Sequence, residues 1–195
     1  SFGKGWIYYF LMQDLGDVVQ SGIVKMPLDF MSGIQRARVN PKDGQVYAVG
    51  MNGWNGGGRQ GLGEGGIQRV RFTGREARLV TGMAIRAGGI EFTFNFELDP
   101  KSAGQTDSYE LEQWNYKWQA SYGSAQWSVA NPKEKGRDDV AIKRAVLSAD
   151  KRSVFLEIPG IRPVNQMLAK LKLRGRDGRE FAEEVYLTIN KVPKS

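Results

Sequence analysis

The sequence of 195 residues predicts an all-β protein. Short runs in which apolar and polar residues alternate recur along the chain, as expected for strands with one buried face. Clusters of Gly, Pro, Asn and Asp separate these runs and are typical of turns between antiparallel strands. The clearest run covers residues 90–98, where Phe92, Phe94 and Phe96 alternate with polar residues.

Five strands are predicted in residues 1–73. Two β-rich runs open the chain, and a hairpin follows whose turn, residues 40–44, contains Pro41 to preset φ and Gly44 to accept positive φ. A meander of this kind resembles one and a quarter four-stranded propeller blades. Because an incomplete blade leaves strand edges unpaired, we expect the missing strands on an upstream segment or on a separate chain. The predicted strands cover residues 5–12, 17–26, 34–40, 45–50 and 67–72.

The glycine-rich stretch at residues 53–66 contains a match to G-x-G-x-x-G at Gly61, Gly63 and Gly66. In a dinucleotide site such glycines lead into a helix whose N-terminus faces pyrophosphate. Here the stretch leads into residues 67–72, which alternate with the period of a strand. We therefore predict a connection between strands and no nucleotide site.

Residues 74–195 predict a two-sheet sandwich, because seven or so short strands each carry one apolar face. Residues 166–174 also fit a turn of helix, although strict alternation favours a strand. The predicted strands cover residues 78–86, 90–98, 109–118, 140–147, 153–158, 166–174 and 181–192.

Composition limits the chemistry of the chain, which has no Cys and no His. Disulfides, thiolate nucleophiles, Ser-His pairs and zinc clusters of Cys and His therefore cannot form within it. The net charge of +7 is spread beside acidic residues, so a solvated surface is favoured over a nucleic-acid groove. No apolar run is long enough to span a membrane, and no signal peptide is visible. Because the first residue is Ser inside a strand, we expect a piece of a longer protein.

Aromatic residues provide the best candidate binding site. Trp114, Tyr116 and Trp118 are spaced by two, which predicts three rings on one strand face, and Tyr122 and Trp127 follow. Such rings stack on sugars, whereas the alternative is that they pack inside the sandwich or against the propeller.

Two further patterns are weak. Ser148 and Lys151 fit S-x-x-K but lie in a predicted hairpin turn, where this catalytic motif does not belong. Four acidic residues in turns are candidate calcium ligands without EF-hand spacing, so no metal site is predicted. These acidic residues are Asp99, Asp107, Asp138 and Asp139.

The sequence resembles the C-terminal part of bacterial secreted β-propeller proteins related to glucose/sorbosone dehydrogenases. In residues 2–74, the segments GKGWIYYF, SGIQRARVNPKDGQVYAVGMNGW and GGIQRVRFTG resemble the last propeller blades. In residues 90–192, the segments FELDPKSAGQTDSYELEQWNYKW, YGS, AVLSADKRSVFLEIPGI and YLTIN look like the Ig-like sandwich that follows the propeller.

This resemblance implies partial β-propeller blades at residues 1–73, an Ig-like β-sandwich at residues 74–195, and a secreted or periplasmic protein. In the family, a quinone-dependent sugar dehydrogenase uses a His base and calcium, and the associated cytochrome c domain needs Cys-x-x-Cys-His. Since this chain has neither Cys nor His, no catalytic residue is carried over. Haem c, or quinone with calcium, is expected only elsewhere in the parent protein, and no cofactor is expected in this chain.

Three hypotheses about function follow. The first is a non-catalytic docking module whose partner is the remainder of the propeller. The second is a carbohydrate-binding module that uses the aromatic face. The third is one part of a quinone-dependent sugar dehydrogenase whose active site lies on another segment or chain.

Overall fold

The computed structural model describes residue 1, residues 3–51 and residues 59–194. Thirteen strands in these residues form three antiparallel sheets, which confirms the all-β class. Within the described residues, helix is limited to α1, Pro100–Ala103, and a 3₁₀ turn, Thr106–Ser108. None of the sheets formed by the described residues closes on itself or builds a propeller.

The strands are numbered in chain order. Those from β1 to β5 are Tyr8–Asp14, Val19–Lys25, Arg36–Val39, Val46–Met51 and Gly65–Val70. Those from β6 to β9 are Val80–Arg86, Gly89–Phe94, Tyr109–Trp114 and Asp138–Asp139. Those from β10 to β13 are Arg144–Leu147, Ser153–Glu157, Val164–Arg174 and Glu180–Ile189.

The chain forms two compact units that alternate along the sequence. The first unit contains residues 1–9 and 25–77, and the second contains residues 10–24 and 78–195. The sequence-based division at residues 73 and 74 lies near the last of these junctions. It assigns residues 10–24 to the first region, whereas in the structure they cluster with the second unit.

The first unit is built on the three-stranded sheet β3-β4-β5. Its predicted hairpin is confirmed, since β3 pairs with β4 across a turn in which Gly44 has a φ of 67°. One face of the sheet packs on a small core of Phe30, Ile34 and Ala48. Gly50 is required there, because a Cβ atom on it would lie 1.8 Å from the carbonyl oxygen of Gly33.

The second unit contains a six-stranded sheet, in the order β1-β2-β13-β12-β8-β9, and a four-stranded sheet, in the order β10-β11-β7-β6. Phe92, Phe94 and Phe96 are all buried, as their alternation predicts. The ring of Phe181 on β13 lies 5.9 Å from that of Phe94 and 5.0 Å from that of Phe96. The two sheets therefore share one core, in which aromatic rings contribute much of the burial.

The strand prediction for residues 166–174 is confirmed, and the helical alternative is wrong. These residues belong to β12, which pairs with β13 on one side and β8 on the other. Met167, Ala169, Leu171 and Leu173 are buried on one face. Leu168 on the opposite face is buried as well, with Tyr186 and Glu112 as its cross-strand neighbours.

Two glutamine amides attach the β1–β2 hairpin to the rest of the second unit. Gln13 accepts a hydrogen bond from the backbone N–H of Ile85 (2.8 Å) and donates one to its carbonyl (2.9 Å). Gln20, only 2% exposed, donates to Gln13 and to the carbonyl of Lys191. Gln20 also accepts from the backbone N–H groups of Asn190 and Lys191. The pair thus connects both sheets.

An ion pair joins the start of the second unit's long segment to the β12–β13 turn. Arg78, whose side chain is 14% exposed, pairs with Asp177 and lies 4.8 Å above the ring of Phe96. Hydrogen bonds from the guanidinium groups of Arg78 and Arg179 hold the pKa of Asp177 well below its usual range.

Replacing Gln20 with Leu is expected to lower the free energy of unfolding by about 1–3 kcal/mol, because the buried side chain loses its hydrogen bonds to Gln13 and to the backbone of residues 190 and 191. Urea denaturation followed by tryptophan fluorescence measures the change. The control is Gln105→Leu, since Gln105 is exposed and makes no side-chain cap. The control is expected to change stability by less than about 0.5 kcal/mol. Equal effects of the two substitutions would contradict the role of the amide pair.

Replacing Asp177 with Asn is expected to destabilise the protein in a pH-dependent way. A carboxylate whose pKa is lowered by folding stabilises the folded state above its unfolded pKa of about 3.9 and loses this effect as pH falls towards the folded pKa. Calorimetric melting temperatures at pH 7 and pH 3 test this. The difference between wild type and variant is expected to shrink at the lower pH, and a constant difference would exclude the ion pair as its source.

Candidate functional site

The predicted aromatic face is not a strand face, because β8 ends at Trp114. Beyond this point the ladder to β12 is replaced by two asparagine side chains. Asn115 accepts a hydrogen bond from the backbone N–H of Asn165 (2.9 Å), and Asn165 accepts one from the N–H of Tyr116 (2.9 Å). Strand geometry therefore does not extend to Trp118, and the expectation that Trp114, Tyr116 and Trp118 share a strand face is wrong.

Trp114 and Trp127 are packing residues. Trp114 is 2% exposed, and the guanidinium carbon of Arg137 lies 4.1 Å from its ring centre. Trp127 is half-buried, with the ammonium of Lys117 3.2 Å from its ring centre. Such cation–π contacts fix the rings and occupy their faces. These two rings therefore pack against other parts of the protein, as in the alternative to a sugar-binding face.

Tyr116, Trp118 and Tyr122 form a second group that is exposed. Their exposed fractions are 46%, 104% and 106%. We call residues 115–127 the aromatic loop. Its ends are joined by two backbone hydrogen bonds between Asn115 and Trp127, of 2.8 and 2.9 Å. The three exposed rings therefore lie on a loop whose two ends are hydrogen-bonded to each other.

The segment that follows the aromatic loop is held by Asp138. Its carboxylate accepts hydrogen bonds from the hydroxyl of Ser128 (2.6 Å) and from the backbone N–H groups of Val129 (2.6 Å) and Ala130 (2.9 Å). Although desolvation acts in the opposite direction, these hydrogen bonds lower the pKa of Asp138. This carboxylate therefore has a structural role in the segment that follows the aromatic loop.

The first unit presents a different surface, on the side of its sheet that faces away from the core. We call it the outer face. Two cross-strand rows form it, with Arg36, Val49 and Ile67 in one row and Arg38, Tyr47 and Arg69 in the next. The exposed fractions of its apolar residues Val49, Met51 and Ile67 are 38%, 52% and 76%. Sequence reasoning missed this surface, although alternation does place these residues together.

The outer face is also basic. The first unit contains nine Lys or Arg and four Asp or Glu, a net charge of +5. In the described part of the chain no ion pair involves Arg36, Arg38 or Arg69. Asp43 lies at the end of this face and accepts a hydrogen bond from the hydroxyl of Tyr47 (2.8 Å). The surface therefore combines exposed apolar side chains with positive charge.

The weaker candidates are the turn carboxylates, the S-x-x-K match and the glycine-rich stretch. Asp99 caps α1 by accepting from the N–H of Ser102, and among the described residues no group of three or more acidic side chains is placed to hold a metal ion. Ser148 and Lys151 lie in the turn between β10 and β11, as predicted. The last two residues of the G-x-G-x-x-G match, Gly65 and Gly66, already belong to β5, while residues 53–58 of the glycine-rich stretch lie outside the described residues.

These observations define an all-β protein of antiparallel sheets with two exposed surfaces. Comparison with protein-family models, with curated proteins and with solved structures gives no match. The resemblance to propeller proteins related to glucose/sorbosone dehydrogenases therefore stays a prediction. Within the described residues, none of the helices has the length and apolar character that a membrane crossing requires.

Trp118 is expected to contribute more than Trp114 to the fluorescence that acrylamide can quench. Trp118→Phe should lower the quenchable fraction more than Trp114→Phe does, because the first ring is fully exposed and the second is buried. Stern–Volmer analysis of both variants measures this fraction. Equal changes would show that the aromatic loop covers Trp118 in solution.

Proposed function

We propose that the chain is a non-catalytic docking module at the C-terminal end of a larger secreted β-propeller protein of redox type. In this proposal the first unit is a terminal blade segment, and the two packed sheets of the second unit are an Ig-like sandwich. The outer face of the first unit binds the remainder of the propeller, and any redox site of the parent lies outside this chain.

The exposed outer face is the observation that carries this proposal. A sheet in a globular protein normally covers an apolar face with another layer, yet Val49, Met51 and Ile67 are exposed. A propeller blade has four strands and packs face to face with its neighbours, whereas this sheet has three strands in the described residues. A neighbouring blade from the parent would cover this face.

The charge of the outer face defines its partner further. Arg36, Arg38 and Arg69 flank the apolar side chains; none of them forms a close ion pair in the described chain, although the charge of Arg69 acts on Asp43. A complementary surface would present apolar residues at its centre and carboxylates opposite the arginines, since opposed charges orient an interface. The absence of Cys and His from the sequence fits a binding role better than catalysis.

The test uses the polypeptide that the same gene encodes upstream of Ser1. When this polypeptide is mixed with the chain, calorimetry is expected to show association, and Ile67→Asp should weaken it at least about tenfold. The reason is that the substitution buries a charge in an apolar contact. The control is Val146→Asp on β10, because Val146 is 40% exposed outside the outer face.

Two results would overturn the proposal. One is equal affinity for the Ile67→Asp and Val146→Asp variants, which would place the contact elsewhere. The other is no association with the upstream polypeptide, or a gene that encodes none, which would exclude the remainder of the propeller as the partner.

A further inference from the structure

The aromatic loop exposes rings that a folded protein normally buries. Trp118 and Tyr122 are fully exposed, and Tyr116 is nearly half exposed. Isolated apolar side chains on a surface need no explanation, but several large rings within seven residues form a patch typical of binding sites. Trp and Tyr are also the residues most enriched at energetically important contacts.

The loop holds these rings in a defined arrangement. The N–H of Lys117 donates to the hydroxyl of Ser124 (2.9 Å), and the amide of Gln119 donates to the carbonyl of Gly123 (2.7 Å). Gly123, directly after Tyr122, has a φ of 76°, which permits the chain to turn there. Because these contacts already order the loop, the loop loses little conformational entropy when a ligand binds.

The surroundings of the rings select the ligand. Residues 118–132 contain no charged side chain. The ammonium of Lys117 lies over the ring of Trp127, and Arg137 is paired with Glu112 at 2.9 Å. Protein sites that bind single-stranded nucleic acid combine basic residues with aromatic ones, and sites that bind anionic membranes contain clusters of Lys and Arg. Lys117 is the one charged residue of the aromatic loop, and its ammonium is held over Trp127. Around Trp118 and Tyr122 the loop instead carries uncharged hydrogen-bonding groups, on Gln119 and Ser121.

We propose that Trp118 and Tyr122 bind a neutral polysaccharide. The apolar C–H faces of its pyranose rings stack on the two aromatic rings, and its hydroxyl groups exchange hydrogen bonds with Gln119 and Ser121. This site lies in the second unit and does not depend on the docking function of the outer face.

Affinity electrophoresis tests the proposal on the full chain. Native gels contain hydroxyethylcellulose, galactomannan or dextran, and calorimetry gives the Kd for any polysaccharide that retards the protein. We expect retardation by at least one of the three. Trp118→Ala and Tyr122→Ala should each weaken binding at least about tenfold, the usual effect of truncating an aromatic anchor. Both variants are expected to melt as wild type does, because their side chains make no core contacts.

The matched control is Phe72→Ala, which removes a 90% exposed ring from the other unit. It is expected to bind as wild type does. The proposal is overturned if no polysaccharide retards the protein, or if all three variants bind equally. It is also overturned if the loss caused by Trp118→Ala is seen only with phosphatidylglycerol vesicles or with heparin, because the loop would then recognise an anionic surface.

Discussion

The second unit depends on two glutamine side-chain amides, those of the half-buried Gln13 and the buried Gln20. Its sheets come from distant parts of the chain, and the β1–β2 hairpin precedes the larger segment of the first unit, residues 25–77. Gln13 bonds both backbone groups of Ile85 on β6, the edge strand of the four-stranded sheet, much as a neighbouring strand would. The side chain of Gln20 accepts hydrogen bonds from the backbone N–H groups of Asn190 and Lys191, just beyond the end of β13. Neutral amides achieve this without the desolvation cost of a buried charge.

This arrangement explains why the two units alternate along the sequence. β2 pairs with β13, so residues 74–195 alone would leave β13 as an unpaired edge. The chain begins in the first unit, enters the second at residue 10, leaves it after residue 24 for the rest of the first unit, and returns at residue 78. A composition change near residue 74 marks only the last of these crossings. The fold therefore requires the N-terminal hairpin, even though that hairpin lies far from its partners in sequence.

Local features were predictable because their causes are local. Gly44 shows the positive φ that its turn requires, and the alternation of Phe92, Phe94 and Phe96 identifies their buried face. Pairing between β2 and β13 was not predictable, since alternation determines the face of a strand but not its neighbour. The only signal was an uncharged polar residue, Gln20, at an inward position of an apolar run.

The candidate site was predicted only in part, for a similar reason. A spacing of two places residues on one face only while the strand continues. Asn115 and Asn165 end β8 through side-chain hydrogen bonds that no periodicity reports. The same five aromatic residues therefore divide into packed rings and exposed ones. Sequence identifies the residue types, and the long-range partners decide which of them a ligand can reach.

Charge distribution also separates the two surfaces. The densest basic cluster of the sequence lies in the second unit, and its members are paired with acids; the pairs are Lys170–Glu110, Lys172–Glu110, Arg174–Glu180, Arg176–Glu97 and Arg179–Asp177. Most of the net charge of the chain therefore belongs to the first unit.

The basic, apolar outer face and the aromatic loop, which has a single charged residue, have different complements. Carboxylates that suit the arginines of the outer face gain little from the aromatic loop, because the ammonium of Lys117 already lies over the ring of Trp127. The distribution of charge thus argues for two distinct partners, an acidic protein surface for the first unit and an uncharged ligand for the second.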